Sequence, residues 1–160
     1  MNKLVPALAL AACALTQHAS SEASLKFKNK TCVDVFVAAA IKDKYNDIFH
    51  DYTGCGYGTW RTAGWWKVAP GGTKTSFTGD MDDFSKRFFA EGGNLVWDGG
   101  GSNIMCGPTE AFDRCGTCQT GMRTPSYRSI STNADTVTVN LTSSLSVCEG
   151  SPCVCKIQVP

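Results

Sequence analysis

A chain of 160 residues with a formal net charge of +1 is long enough to bury one core. It lacks the basic excess of a nucleic-acid binder or of a protein that adheres to anionic membranes. Charged residues make up only 18%, glycines number 16, and Ser, Thr and aromatic residues are frequent, which is the composition of a loop-rich β protein.

Met1-Asn2-Lys3 followed by the apolar run Leu4 to Leu15 and the small polar stretch Thr16 to Ala23 reads as a secretory signal peptide over residues 1–23, too short to span a bilayer. Cleavage after Ala19 or Ala23 is expected. Leu10-Ala11-Ala12-Cys13 also resembles a bacterial lipoprotein processing box, the competing reading. The expected location is therefore secreted or extracellular, and periplasmic or lipid-anchored in a bacterium. No second apolar run of membrane length follows, so no transmembrane segment is expected. Residues 24–160 are then a single β-sandwich domain. Without Cys13 the cysteines are Cys32, Cys55, Cys106, Cys115, Cys118, Cys148, Cys153 and Cys155, an even set that in an exported chain implies up to four disulfides whose pairing stays open. Asn29-Lys30-Thr31 and Asn140-Leu141-Thr142 are glycan acceptors in a eukaryotic source, at Asn29 and Asn140.

Leu25 and Phe27 alternate with Lys26 and Lys28, a half-buried strand. Cys32 to Ile41 is a second strand rich in valine, with a helix through Ala38-Ala39-Ala40 as the alternative. Lys42 to Gly58 has no sustained period and reads as a long loop tied down by Cys55. Trp60 to Thr73 holds three of the four tryptophans and ends in Pro70-Gly71-Gly72, a strand closing in a tight turn with Thr73 to Thr78 as its hairpin partner. Phe84 to Glu91 and Asn94 to Trp97 are further strands. Asp98 to Ser102 is a glycine loop, and Asn103 to Cys106 rejoins the sheet. From Asp113 to Arg128 sulfur does more than burial. Thr136 to Leu141 alternates as an edge-type strand, Cys148 to Cys155 is a stapled turn, and Val154 to Val159 is a last strand. Repeated short strands with glycine turns give an all-β fold, an antiparallel β-sandwich stapled by disulfides and carrying long loops.

Catalytic signatures are weak. Cys115-x-x-Cys118 lacks the strand-to-helix setting of a redox motif. Cys115, Cys118, Cys153 and Cys155 carry zinc only on paper, since one spacing is Cys-x-Cys and the compartment oxidises thiols. His50, the one histidine after processing, has no nucleophile motif around it. Asp80, Asp82, Asp83, Glu91, Asp98 and Glu110 supply carboxylates for glycoside hydrolysis, and Asp80-x-Asp82-Asp83 for calcium, but carboxylates beside turns are ordinarily caps. No catalytic residue, metal or cofactor is assigned. Of the aromatic residues, Trp66 and Trp97 are assigned to the core. Tyr57, Trp60 and Trp65 adjoin the long loop and are the candidate binding residues, because flat rings on a rigid sheet stack on sugars or anchor protein contacts.

Asn29-Lys30-Thr31, Val35-Phe36-Val37-Ala38, Gly64-Trp65-Trp66 with Val68 and Pro70-Gly71, Phe88-Phe89-Ala90, Trp97-Asp98-Gly99, and Met105-Cys106 with Phe112 together resemble the landmarks of the domain-of-unknown-function family numbered 1036. That family consists of small exported β-rich proteins. The resemblance covers residues 25–112 and leaves 113–160 as a cysteine-rich extension; it implies a fold and no activity. Lys28 and Thr73 stand where that family tends to carry cysteines, which implies a different disulfide pattern. Phe27-Lys28-Asn29, Trp66-Lys67-Val68 with Pro70-Gly71-Gly72, and Cys115-Gly116-Thr117-Cys118 are also similar to thaumatin-like proteins. The expected function is non-enzymatic binding of a cell-surface, glycan or protein partner through loops and exposed aromatics. The alternatives are a glycan hydrolase or antimicrobial protein of thaumatin-like build, and a structural envelope or matrix component.

Overall fold

The computed structural model describes residues 22–45, 51–56, 58–100, 111–116 and 124–158. These residues form an antiparallel β-sandwich with no α-helix among them. One layer is the three-stranded sheet β4–β1–β9, built from Thr73–Thr78, Ser24–Asn29 and Val137–Leu141. The other runs β6–β5–β2–β3–β7, with β8 (Arg128–Ile130) also pairing β5. Its central strands β2 (Val35–Asp43), β3 (Arg61–Val68) and β5 (Phe84–Gly92) are flanked by β6 (Leu95–Trp97) and β7 (Phe112–Cys115). A separate hairpin, β10 (Ser146–Glu149) with β11 (Val154–Ile157), completes the described chain.

Alternation explains the layering. Leu25 and Phe27 of β1 meet Val35, Val37, Ala39 and Ile41 of β2 and Phe84, Phe88 and Ala90 of β5 in one core between the sheets. The Ala38-Ala39-Ala40 run is strand, because β2 is buried on both faces and small residues let covering groups approach each face. Ala38 and Ala40 lie beneath a second cluster with Trp65, Phe89 and Tyr127 on the outer face of the large sheet.

The tryptophan strand serves both faces through a bulge. Val37 pairs with Trp66 and Ala38 with Gly64, so Trp65 is the extra residue, held at φ 49°. Ala63 and Trp66 therefore both face the inner core although three residues apart, while Trp65 turns outward onto Phe89, edge to face at 5.7 Å. A left-handed tryptophan costs ~1–3 kcal/mol, which burial of the indole on the outer cluster offsets.

The turn after this strand corrects the expected hairpin. The Gly72 N–H donates to Ala69 O at 2.9 Å and Gly71 has φ 74°, as a Pro-Gly turn of the second type requires. The chain then leaves the large sheet, and Thr73–Thr78 pairs with β1 instead of β3. Asn29 directs this crossing. Its backbone N–H donates to Gly72 O, its backbone carbonyl accepts from the Gly71 N–H, and its side-chain Nδ2 donates to Val68 O at 2.8 Å and Val33 O at 2.7 Å. Asn29 is thus fully buried with its amide doubly used, and the expected glycan acceptor is a fold-building residue; Asn140 is exposed on β9. The strand at Val137–Leu141 does sit at a sheet edge, but it pairs with β1 in parallel.

Candidate functional site

A groove of about 700 Å³ opens on the outer face of the large sheet, where the ends of β2 and β5 meet β8 and the turn after it. Strand alternation builds it. On β2, Lys42 follows Ala38 and Ala40 on the outer face; on β5, Arg87 precedes Phe89 there. Ala40 pairs with Arg87 and Lys42 with Ser85, so the two cations are diagonal neighbours across the strand pair. Trp60, just before β3, is half-buried between them and the outer cluster. The Arg87 guanidinium carbon lies 4.4 Å from the Trp60 ring centre and Lys42 Nζ lies 5.5 Å from it, cation–π contacts that hold the indole in place.

The charge around this ring is one-sided. Among the described residues no carboxylate lines the groove, which is completed by Lys44, Lys86, serine and threonine hydroxyls and Asn133. Lys44 is neutralised in part by Asp82 at 3.3 Å and reaches Asn133 Oδ1 at 3.0 Å. Lys86 is buried and donates to Met81 O and, at 3.0 Å, to Phe84 O; burial, with the nearby Lys44 charge, lowers its ammonium pKa. Burial also pulls Arg87 below its ordinary value, without removing a guanidinium charge near neutrality. Among the described residues Lys42 and Arg87 form no ion pair.

Beside the groove, the segment 51–56 is fastened to β7. Cys55 is bonded to Cys115 across 60 residues. Arg61 grips Asp113 through two hydrogen bonds of 2.9 and 2.7 Å and also donates to Thr53 O at 3.2 Å. Asp51 Oδ2 accepts from the Gly56 N–H at 2.7 Å, and Asp51 also receives the Thr53 hydroxyl; these bonds hold its carboxyl below the usual range. The Arg61 fork does the same for Asp113. Asp43, at the inner end of β2, goes the other way. It is buried without a well-formed partner for either oxygen, and desolvation followed by the Asp51 charge raises its pKa, while the Tyr52 and Thr53 amides oppose the rise.

The binding candidates separate. Trp60 is in the groove. Trp65 is 9% exposed and packed on Phe89 in the outer cluster, away from the groove lining. Tyr57 lies outside the described residues, as do His50, Glu110, Cys106 and Cys118. Trp66 and Trp97 pack against the inner core. Cys148 bonds to Cys153, whereas Cys32 and Cys155, expected in disulfides, are thiols in this structure. The Cys115-x-x-Cys118 motif is not closed on itself, since Cys115 belongs to Cys55. Three of the carboxylates weighed for catalysis are used locally: Asp80 caps the 3-10 turn Met81–Asp83 through the Asp82 N–H, Asp82 pairs with Lys44, and Asp98 accepts from the Gly100 N–H at 3.2 Å. Lys42 and Arg87 went unassigned in the sequence. Their signal was the alternation that places them with Ala40 and Phe89, but only the strand register brings them together.

Among the described residues no helix is long and apolar enough to cross a membrane, and no group of three or more His, Cys, Asp or Glu is placed to hold a metal. The chain matches no family model, no curated protein and no solved structure.

Proposed function

We propose that this is an exported, non-enzymatic binding protein that takes an acidic glycan on the outer face of its large sheet. The observation that carries this reading is the Trp60 ring in contact with both Lys42 and Arg87 in a groove lined by cations and hydroxyls and, among the described residues, by no carboxylate. An indole offers a flat apolar platform for a sugar face, the two cations offer charge to a carboxylate or sulfate, and the hydroxyls and Asn133 offer hydrogen bonds to ring hydroxyls. The local use of Asp80, Asp82 and Asp98 in capping, pairing and turn formation favours binding over hydrolysis, which needs two free carboxyl groups flanking the bond to be cut.

Retention on immobilised polyuronate and heparin, against neutral dextran, tests this. Wild type is expected to be held by the acidic polymers and released by salt, with Trp60→Ala and Arg87→Gln each weakening retention at least tenfold. Equal retention on dextran, or unchanged retention of both variants, overturns it. Capture of an acidic protein surface in place of either polymer would move the ligand class from glycan to protein.

A further inference from the structure

The hairpin β10–β11 has no disulfide to the sandwich among the described residues, because Cys148–Cys153 joins residues only five apart within the hairpin itself. Its attachment to the turn between β1 and β2 is noncovalent. The Cys148 N–H donates to Lys30 O at 2.9 Å, and the Cys148 and Cys153 side chains sit over Gly71, where an added Cβ would come within 2.9 Å of Cys153 Cβ and 3.1 Å of Cys148 Sγ. Cys148 stands directly opposite Cys155 in the hairpin register. Directly paired residues project from the same face of a two-stranded sheet, so Cys155 shares the face by which Cys148 meets the sandwich. Cys32, in the turn between β1 and β2, comes to this same place: it is half-buried and its Sγ lies 3.5 Å from Val147 O of β10.

We infer that Cys32 and Cys155 are a second modification site of the hairpin, closing a Cys32–Cys155 disulfide that ties it to the β1–β2 turn. Cys32 is near enough to act on Cys155: the neighbouring thiol, with burial second, raises the Cys155 thiol above its ordinary value. Cys155 is exposed, so a small disulfide oxidant such as oxidised glutathione reaches it. The Cys155 thiolate displaces one glutathione thiolate to form a mixed disulfide. The Cys32 thiolate then attacks the Cys155 sulfur and displaces the second glutathione. The two cysteines lose two electrons and their two S–H protons, and one oxidised glutathione becomes two reduced ones.

Disulfide mapping of the full chain tests the pairing. The protein is equilibrated with oxidised glutathione, blocked with N-ethylmaleimide and cleaved with trypsin and a Glu-specific protease. Cys32 then lies in fragment 31–42, Cys148 in a fragment ending at Glu149, and Cys153 with Cys155 in fragment 150–156. The expected result is one three-fragment species without maleimide on Cys32 or Cys155. In the Cys148→Ser, Cys153→Ser double variant, 31–42 is expected to remain joined to 150–156. Maleimide on both Cys32 and Cys155 after oxidation overturns the inference, and so does linkage of Cys32 to Cys148 or Cys153. Hydrogen exchange adds a second readout in wild type: amides of 146–157 are expected to slow about tenfold on oxidation, and Cys32→Ser to abolish that slowing.

Discussion

Trp60 and Trp65 are five residues apart in the sequence and separate stability from recognition. Truncating Trp65 to Ala removes the ring that covers Ala38 and Ala40 and meets Phe89, at an expected cost of ~3–5 kcal/mol in chemical denaturation. Trp60→Ala, at the groove, is expected to cost about 1 kcal/mol or less while weakening retention on acidic polymers at least tenfold. Gly64→Ala is expected to be worse than its size suggests. Its Cβ would fall 2.4 Å from Ala38 Cα and 2.5 Å from Ala38 Cβ, where backbone on the paired strand cannot yield; a loss of at least ~3 kcal/mol is expected by the same measurement.

Asp43 and Asp113 give opposite pH signatures. The Asp113 carboxyl is lowered by Arg61, so its stabilisation is present above the ordinary carboxylate value and is lost as pH falls through the lowered one. The Asp43 carboxyl is raised by burial, so the folded state holds a proton that the unfolded state has released. Stability therefore falls as pH rises from the ordinary value through the raised one. Asp43→Asn is expected to raise the thermal midpoint at pH 7 and to match wild type in strongly acidic buffer. A midpoint profile with pH for the two proteins checks both limbs.

Among the elements, the segment 51–56 and the hairpin β10–β11 are both stapled, but the staples differ in reach. Loop-closure entropy assigns ~4 kcal/mol to Cys55–Cys115 and only ~2 kcal/mol to Cys148–Cys153, because the first closes 60 residues and the second five. Denaturant titration of the two paired Cys→Ala variants is expected to rank them in that order. The strands themselves were legible: Leu25 with Phe27, the valines of β2 and the Thr136 to Leu141 alternation all announce period two, and every expected strand within the described residues is present in some form. Partnership was not legible. The Pro70-Gly71-Gly72 signal is the same whether the chain folds back onto β3 or crosses to β1. The buried Asn29 amide, 39 residues from its Val68 acceptor, decides for the crossing. The faces of Trp65 and Trp66 likewise depend on one bulge that no local pattern marks.

Across the whole molecule, two clusters lie on opposite sides of the large sheet, and the sequence signals for them were unequal. The inner core follows from alternation. The outer one depends on Tyr127, fully buried in a stretch expected to rely on sulfur, and on Gly99, whose N–H donates to Ser126 O at 3.0 Å and which has no room for a side chain against Tyr127 O. The groove inherits this limit: Trp60 was a candidate because it is aromatic, while its cations needed the register of β2 on β5.

The parallel pairing of β1 with β9 sets a timetable. Leu25 has Phe77 on one edge, but its other neighbour, Val137, arrives only after most of the chain. Until Leu141 has left the ribosome, the smaller layer has an open edge and the inner aromatics lack part of their lid. Such late closure slows folding and leaves sticky surface uncovered. A released chain truncated before residue 137 should therefore be captured by holding chaperones, and the released full chain should escape them.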